Sequence, residues 1–369
     1  MAVLQLNQET VEAVVLGGGV LGGGGGGSLD DGRTNGLLAI QWGAPPLVDL
    51  ADLPGDAVLV TASAVGSPAS KTTYAPPVHF VRSIELLRDM GGVRVAGIIT
   101  SECGGIAATN GWMQAAALGL PVVDSPCNGR AHPIGVMGSM GLHEQPGYVS
   151  LQTAVGGNPA ENRYVEMFVR GKLEKAAALV LQAAVQAGGM VAVARNPVTV
   201  DYAHDHAAPG ALKRAIAVGR AMLDRLGAGP LAMVEAAAST LDGEIAGRGP
   251  IVAVELETRG GLDVGTVKIA NGQGRRLELT FWNEYMTLEA FDDGRGSGAT
   301  RVATFPDLMA TFDLATGTPV TTAQARVGIE VAVLRVPRQK LILGAGMRYP
   351  ALMRAVEEAV GREVLRYIS

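Results

Sequence analysis

The sequence predicts an α/β N-terminal domain with a parallel-type sheet, joined to a C-terminal domain with a helical lead-in and a β-rich core. Three observations carry this. Short β-branched runs alternate with helix-spaced segments between residues 57 and 125. Ala- and Leu-rich stretches at 162–187 and 210–227 have helical spacing. After Leu241 the texture changes to strand-like runs separated by Gly- or Asp-rich turns. We place the division at 1–167 and 168–369, with the β-rich core at about 236–340.

The elements follow in order. Asn7 is placed to cap a first helix with Val11, Val14 and Val15 on one face, and a glycine run ends it. Ser28 or Asp30 can start a second helix bearing Leu29, Leu37, Leu38 and Ile40. AVLVTAS (57–63) and VRVAGIIT (93–100) read as strands, with the helix HFVRSIELLRDM (79–90) between them stopped by Gly91-Gly92. A helix at NGWMQAAALG and a strand at LPVVDS (120–125) extend the alternation, which implies right-handed βαβ crossovers. Further on, Asn162–Ala187 reads as helix, MVAVAR (190–195) as strand and GALKRAIAVGRAMLDRLG as an amphipathic helix. IVAVELET, GTVKIAN, RRLELTFWNEYMTLEA and VGIEVAVLRV read as strands, and LMRAVEEAVG as a last helix.

Composition narrows the function classes. The 369 residues are 48% hydrophobic and 18% charged, with no apolar run long enough to span a bilayer. A net charge of −5 leaves no basic footprint for nucleic acid. The N-terminal MAVLQLNQET lacks a secretory pattern, and two cysteines are too few for a disulfide scaffold, so a cytoplasmic protein is expected. The expected partner is a small-molecule substrate, with neither nucleic acid nor membrane. Ala and Gly on the helices are compatible with a homo-oligomer.

The densest glycine segment is LGGGVLGGGGGG, in which Gly22, Gly23, Gly24, Gly25, Gly26 and Gly27 run together. Glycine amides before a helix can form an anion-binding nest. No Gly-Lys-Ser/Thr follows, and the apolar run before it looks helical, so neither a phosphate loop nor a dinucleotide fingerprint is present. Ligand contact and a tight helix–helix turn both fit the spacing.

Chemistry-bearing residues gather in TSECGGIAATNGWMQAAALGLPVVDSPCNGRAHP. Glu102 and Cys103 follow one strand and Asp124 ends the next, and in an open α/β sheet such ends converge on a crevice. Arg130 could clamp a planar anion, and His132 could act as acid or base. Cys127 is a nucleophile if Arg130 or His132 favours its thiolate, or else a buried packing residue. Asp124 could act on substrate or cap the following turn. In VDYAHDHAAPG, His204 and His206 beside Asp201 and Asp205 have the donor types for a divalent metal ion, although a polar loop explains them equally. Asn283 and Glu284 are successive in a strand-like run, so only one faces the core side; a carboxylate buried there needs a partner or carries a raised pKa, whereas an exposed edge needs neither. No Ser nucleophile elbow, Cys-x-x-Cys or His-Glu-x-x-His occurs.

Taken together, the glycine run, SECGGIAATN…LGLPVVDSPCNGRAHP, APGALKRAIAVGRA, LDGEIAGRGPIVAVELETRGGLDVGTVKI, FWNEYM and FPDLMATFDLATGTPVTTAQARVG resemble blocks of the S-methyl thiohydantoin desulfurase family, often described as hydantoin-utilisation proteins. The blocks occur in the family's order along nearly the whole chain. Gly22 to Gly27, Glu102, Gly104, Gly105, Asp124, Gly129, Arg130, Asn283, Glu284, Pro306 and Asp307 fall on motif positions. The resemblance implies an α/β part followed by a β-rich part, and heterocycle metabolism near hydantoinase and oxoprolinase chemistry. Where members show Asp-Gly-Met-Gly-Arg-Ala-Phe-Pro-Glu, SPCNGRAHPIG places Ser125, Cys127, His132 and Ile134. Members also carry a Glu-Lys pair after Gly66-Ser67-Pro68, and this chain has SPASKTTYAPP instead.

The functional expectation is an enzyme of small-heterocycle metabolism, a hydrolase or desulfurase. Asp124, Arg130, His132, Glu102 and Cys127 are its catalytic candidates. The glycine run, Gly104, Gly105, Asn283 and Glu284 are its ligand contacts, and His204 and His206 its candidate metal ligands. The cofactor stays open, a divalent metal ion being one option. The alternative is a non-catalytic ligand-binding or accessory subunit for a hydantoinase- or oxoprolinase-type enzyme. A scaffold without a small-molecule site is a third.

Overall fold

Two eight-stranded sheets organise the chain in the computed structural model, which describes residues 4–66, 70, 72–272, 274–292 and 297–368. The first sheet is reached through β1 (Leu4–Gln5), after which α1 (Gln8–Leu21) and α2 (Leu29–Trp42) lead to β2 (Pro46–Val48). Asn7 caps α1 by accepting from the Thr10 amide, and Ser28 caps α2 by accepting from Asp31. β3 (Val58–Gly66), α3 (Pro77–Gly91), β4 (Val95–Thr100), α4 (Trp112–Leu118) and β5 (Val122–Val123) follow, and β2, β5, β4 and β3 pair in parallel in that order. This is the predicted βαβ core.

Antiparallel strands flank it. β6 (Ser150–Gly156), β7 (Val165–Gly171) and, after α5 (Leu173–Gln186), β8 (Met190–Thr199) complete the order β1-β2-β5-β4-β3-β8-β6-β7. The sheet is therefore mixed. The stretch 162–187, expected as one helix, divides into β7 and α5. VEMFVRG pairs with β6 along its whole length, and its Val and Phe side chains suit a pleated surface better than a helix. The 167/168 division falls inside β7.

Helices then lead into the second sheet: α6 (Val200–His206), α7 (Ala211–Leu223) and α8 (Pro230–Thr240). The VDYAHDH segment, read as metal site or polar loop, is the helix α6, capped by the Thr199 hydroxyl. The second sheet comprises β9 (Glu244–Arg259), β10 (Leu262–Ala270), β11 (Arg275–Trp282), β12 (Glu284–Asp292), β13 (Ser297–Thr304), β14 (Leu308–Asp313), β15 (Pro319–Val320) and β16 (Glu330–Val336). Its order is β13-β12-β11-β10-β9-β16-β14-β15, antiparallel at every described pair. α9 (Pro350–Val360) follows it.

RRLELTFWNEYMTLEA is a hairpin and not one strand. Trp282 pairs with Glu284 and Phe281 with Tyr285, leaving Asn283 alone at the turn. Its φ of 54° lies in the left-handed region that Asn tolerates better than most residues. The glycine run also ends α1 later than its composition suggests, because Gly17, Gly18 and Gly19 remain helical. A Cβ on Gly17 would collide with the Ala215 carbonyl of α7, and one on Gly219 with Ala13 of α1. Close helix–helix contact thus outweighs glycine's poor helix propensity.

Candidate active site

The six-glycine segment forms the turn between α1 and α2, with Gly22 closing α1 and Ser28 starting α2. Gly23, Gly24, Gly26 and Gly27 have φ values of 56°, 92°, 73° and 80°, a conformation most side chains resist. Its carbonyls bind both halves of the molecule. Gly23 O accepts from the Tyr285 amide at 2.8 Å, Gly24 O from the Thr322 amide at 2.8 Å, and Gly26 O from Ala107 at 3.2 Å. Gly104 and Gly105, just after β4, allow this approach: a Cβ on Gly26 would lie 2.5 Å from the Gly104 Cα, and one on Gly105 would lie 2.5 Å from the Gly27 carbonyl oxygen. The run therefore lets two backbones touch and also exposes Gly26 and Gly27 to a cavity.

That cavity is about 530 Å³. Its polar wall includes Gly26, Gly27, Glu102, His132, Arg195 and Glu284, drawn from both sequence halves. Glu102 lies just beyond the C-terminal end of β4, Arg195 is on β8, and Glu284 opens β12. The His132 amide donates to Glu102 Oε2 at 3.1 Å, and His132 Nε2 lies 3.3 Å from the same oxygen without hydrogen-bond alignment. Glu284 packs against Gly25, and its Oε2 has no partner among the described residues. Arg195 Nε is also buried without a partner among the described residues.

Burial dominates the electrostatics. It pushes Glu102 up to about 7, against the opposing influence of the His132 amide and of Arg195 and Arg130. Glu284 is raised well above the usual carboxylate range by burial and then by repulsion from Glu102, with Arg130 and the Gly26 amide opposing. Burial, reinforced by Arg195, lowers His132 to about 3, so its imidazole is neutral near neutral pH. The cavity thus holds two mutually repelling carboxyl groups that retain protons unusually well. That is the pattern of an acid–base pair.

The structure brings Glu102, His132, Gly26, Gly27, Asn283 and Glu284 to this cavity and places other candidates elsewhere. Asp124 is buried away from the lining. Its Oδ1 accepts from the Leu212 and Lys213 amides at 2.8 and 3.3 Å, capping the start of α7, while burial raises it to about 6. Arg130 is fully buried behind the glycine turn. It donates to the Ala131, Pro306 and Asp307 carbonyls and stacks over Phe305 at 4.7 Å, tying the two halves together. The Cys127 thiol lies 3.2 Å from Thr61 Oγ1 and is pushed up to about 11 by burial, so it is protonated at neutral pH.

His204 and His206 lie on α6, outside the cavity lining. His204 pairs with Asp205 at 2.9 Å, and the His206 ring stacks on Tyr202. Among the described residues, no three His, Cys, Asp or Glu side chains are grouped to hold a metal ion. Two wall residues escaped sequence reasoning. Arg195 was visible only as a lone cation in the apolar run MVAVAR, and Asn110, whose buried Oδ1 has no partner among the described residues, only as a polar residue before α4.

The chain matches the model of the S-Me-THD-like N-terminal domain over residues 9–160 and that of the S-Me-THD-like C-terminal domain over residues 172–346. It belongs to the S-methyl thiohydantoin desulfurase-like (S-Me-THD-like) family. The crystal structure of a protein from Chromobacterium violaceum shares this fold with a TM-score of 0.69 at 20% identity, covering 97% of this chain and 96% of that one. No curated protein matches the chain. In this S-Me-THD-like protein, two of the four departures from the central block, His132 and Ile134, line the cavity, while Ser125 and Cys127 do not. The departure at Ser67, Pro68, Ala69 and Lys71 lies outside the described residues. No described helix is long and apolar enough to cross a membrane.

Proposed function

We propose that this S-Me-THD-like protein is an enzyme that hydrolyses a small polar heterocycle of hydantoin or thiohydantoin type, with Glu102 and Glu284 dividing the proton transfers. The observation that carries the reading is the sharing of one cavity by these two carboxyl groups, each with a raised pKa, beside the glycine turn. Burial raises both groups, and repulsion from Glu102 raises Glu284 further, so the pair is read with Glu284 as the proton holder and Glu102 as the partner that ionises.

Ionised Glu102 takes a proton from water as the water oxygen bonds to an electrophilic ring carbon. Protonated Glu284 gives its proton to the departing sulfur or nitrogen as the C–S or C–N bond breaks. Protons exchanged with solvent then restore the starting pair. The Arg195 guanidinium, on the same wall, offsets negative charge developing on the substrate oxygen. His132, neutral beside Glu102, fixes that carboxyl through its amide.

The test is a turnover screen of hydantoins and S-substituted thiohydantoins, with elemental analysis of the purified protein. Glu102→Gln and Glu284→Gln are each expected to lower kcat by about a hundredfold or more while melting remains cooperative. Wild-type turnover in both variants refutes the assignment. Thermal stabilisation by these compounds without any product favours the accessory-subunit reading.

A further inference from the structure

The cavity has a second wall that acid–base chemistry does not use. α5 turns Glu174, Ala177, Ala178 and Leu181 toward it, positions that fall on one helical face. Leu173, Ala176, Val180, Ala183 and Ala184 of the same helix are buried, and Leu179 and Val185 are exposed. Ala177 and Leu181 are only half-buried, as are Ile134, Val65 and Leu262 elsewhere on the lining. Apolar side chains bordering a void leave surface available to a ligand. The cavity volume suits a ligand well beyond a bare five-membered ring.

We infer that this apolar arm is a side-chain subsite, so the preferred substrate is a heterocycle carrying an aliphatic or aromatic substituent on its saturated carbon. The inference rests on the hydrolase reading for its chemistry, but the subsite itself can be tested by binding. Glu174 on the same helical face adds a discriminator: its carboxylate repels an acidic substituent and leaves apolar ones unaffected.

The experiment compares rings substituted with hydrogen, methyl, isobutyl, benzyl or carboxyethyl, by kcat/KM and by shift in Tm. Each buried methylene is worth about fourfold, so kcat/KM is expected to rise at least about tenfold from the bare to the isobutyl ring, with the carboxyethyl ring below it. In Ala177→Phe, which fills the arm from a half-buried position on the helix, the isobutyl-to-bare ratio should fall by about tenfold. Equal kcat/KM for bare and isobutyl rings, or an unchanged ratio in Ala177→Phe, overturns the subsite while leaving the hydrolase reading intact. If no ring is turned over, the hydrolase reading fails and the melting shifts decide. A larger Tm rise with isobutyl than with the bare ring still supports the subsite, and equal or absent shifts overturn it.

Discussion

Gly25→Ala isolates the contact between the glycine turn and the Glu284 carboxyl, to which we assign a proton transfer. Unlike Gly23, Gly24, Gly26 and Gly27, Gly25 does not have a positive φ, so the backbone itself accepts alanine. The obstacle is Glu284: a Cβ at this position collides first with its Oε1 and also falls 2.6 Å from its Cδ and 2.9 Å from its Cγ, where ordinary contact begins at 3.4 Å. The carboxyl carbon must retreat by about 0.8 Å and Oε1 by more, and a displacement of at least that order costs on the order of a hundredfold in rate when it moves a reacting group. Overpacking should cost about 1–3 kcal/mol of stability. The assay is kcat/KM on the best ring from the screen, beside a urea melt, for Gly25→Ala, Glu284→Gln and the double variant. If alanine acts through the carboxyl, the two losses should not add. A folded Gly25→Ala enzyme with turnover within about threefold of wild type refutes the placement of Glu284 in the reaction.

Two other outcomes follow from the same structure. Glu102 and Glu284 keep protons in the folded state that the unfolded chain has released, so the native state binds more protons between the ordinary carboxylate range and about pH 7. The contribution of these two carboxyl groups to stability should therefore grow as pH falls through this window and level off below it, against the opposite contribution of His132, which the fold keeps neutral while the unfolded chain protonates. Urea midpoints from pH 8 to 5 for wild type and Glu102→Gln isolate the carboxyl: the stability of wild type relative to the variant should grow as pH falls, and a difference that shrinks instead contradicts the burial assigned to Glu102. Asp124→Ala removes the acceptor for the Leu212 and Lys213 amides and should cost about 2 kcal/mol, with turnover per folded molecule within about twofold. Loss of kcat at unchanged Tm would instead return Asp124 to the reaction.

Local signals in the sequence determined a good deal. Asn7 and Ser28 cap the helices where their side chains predict, and the β-branched runs at 57–63 and 93–100 mark strands of the parallel core. The glycine run announced a close backbone approach, because no other residue tolerates one so freely. These features depend on a residue and its immediate neighbours, and so composition and spacing reveal them.

What only the tertiary structure decided was which polar groups share a cavity. Glu102 and Asp124 look alike as carboxylates at strand ends, yet one faces the void and the other caps α7 from a distant position in the chain. Glu284 reaches the site because a one-residue turn at Asn283 starts β12 against the glycine run, and Arg195 because β8 pairs antiparallel with β3. Burial and proximity arise from strand pairing and helix packing between remote segments. The proton affinity of a carboxyl depends on that assembled environment far more than on its neighbours in sequence.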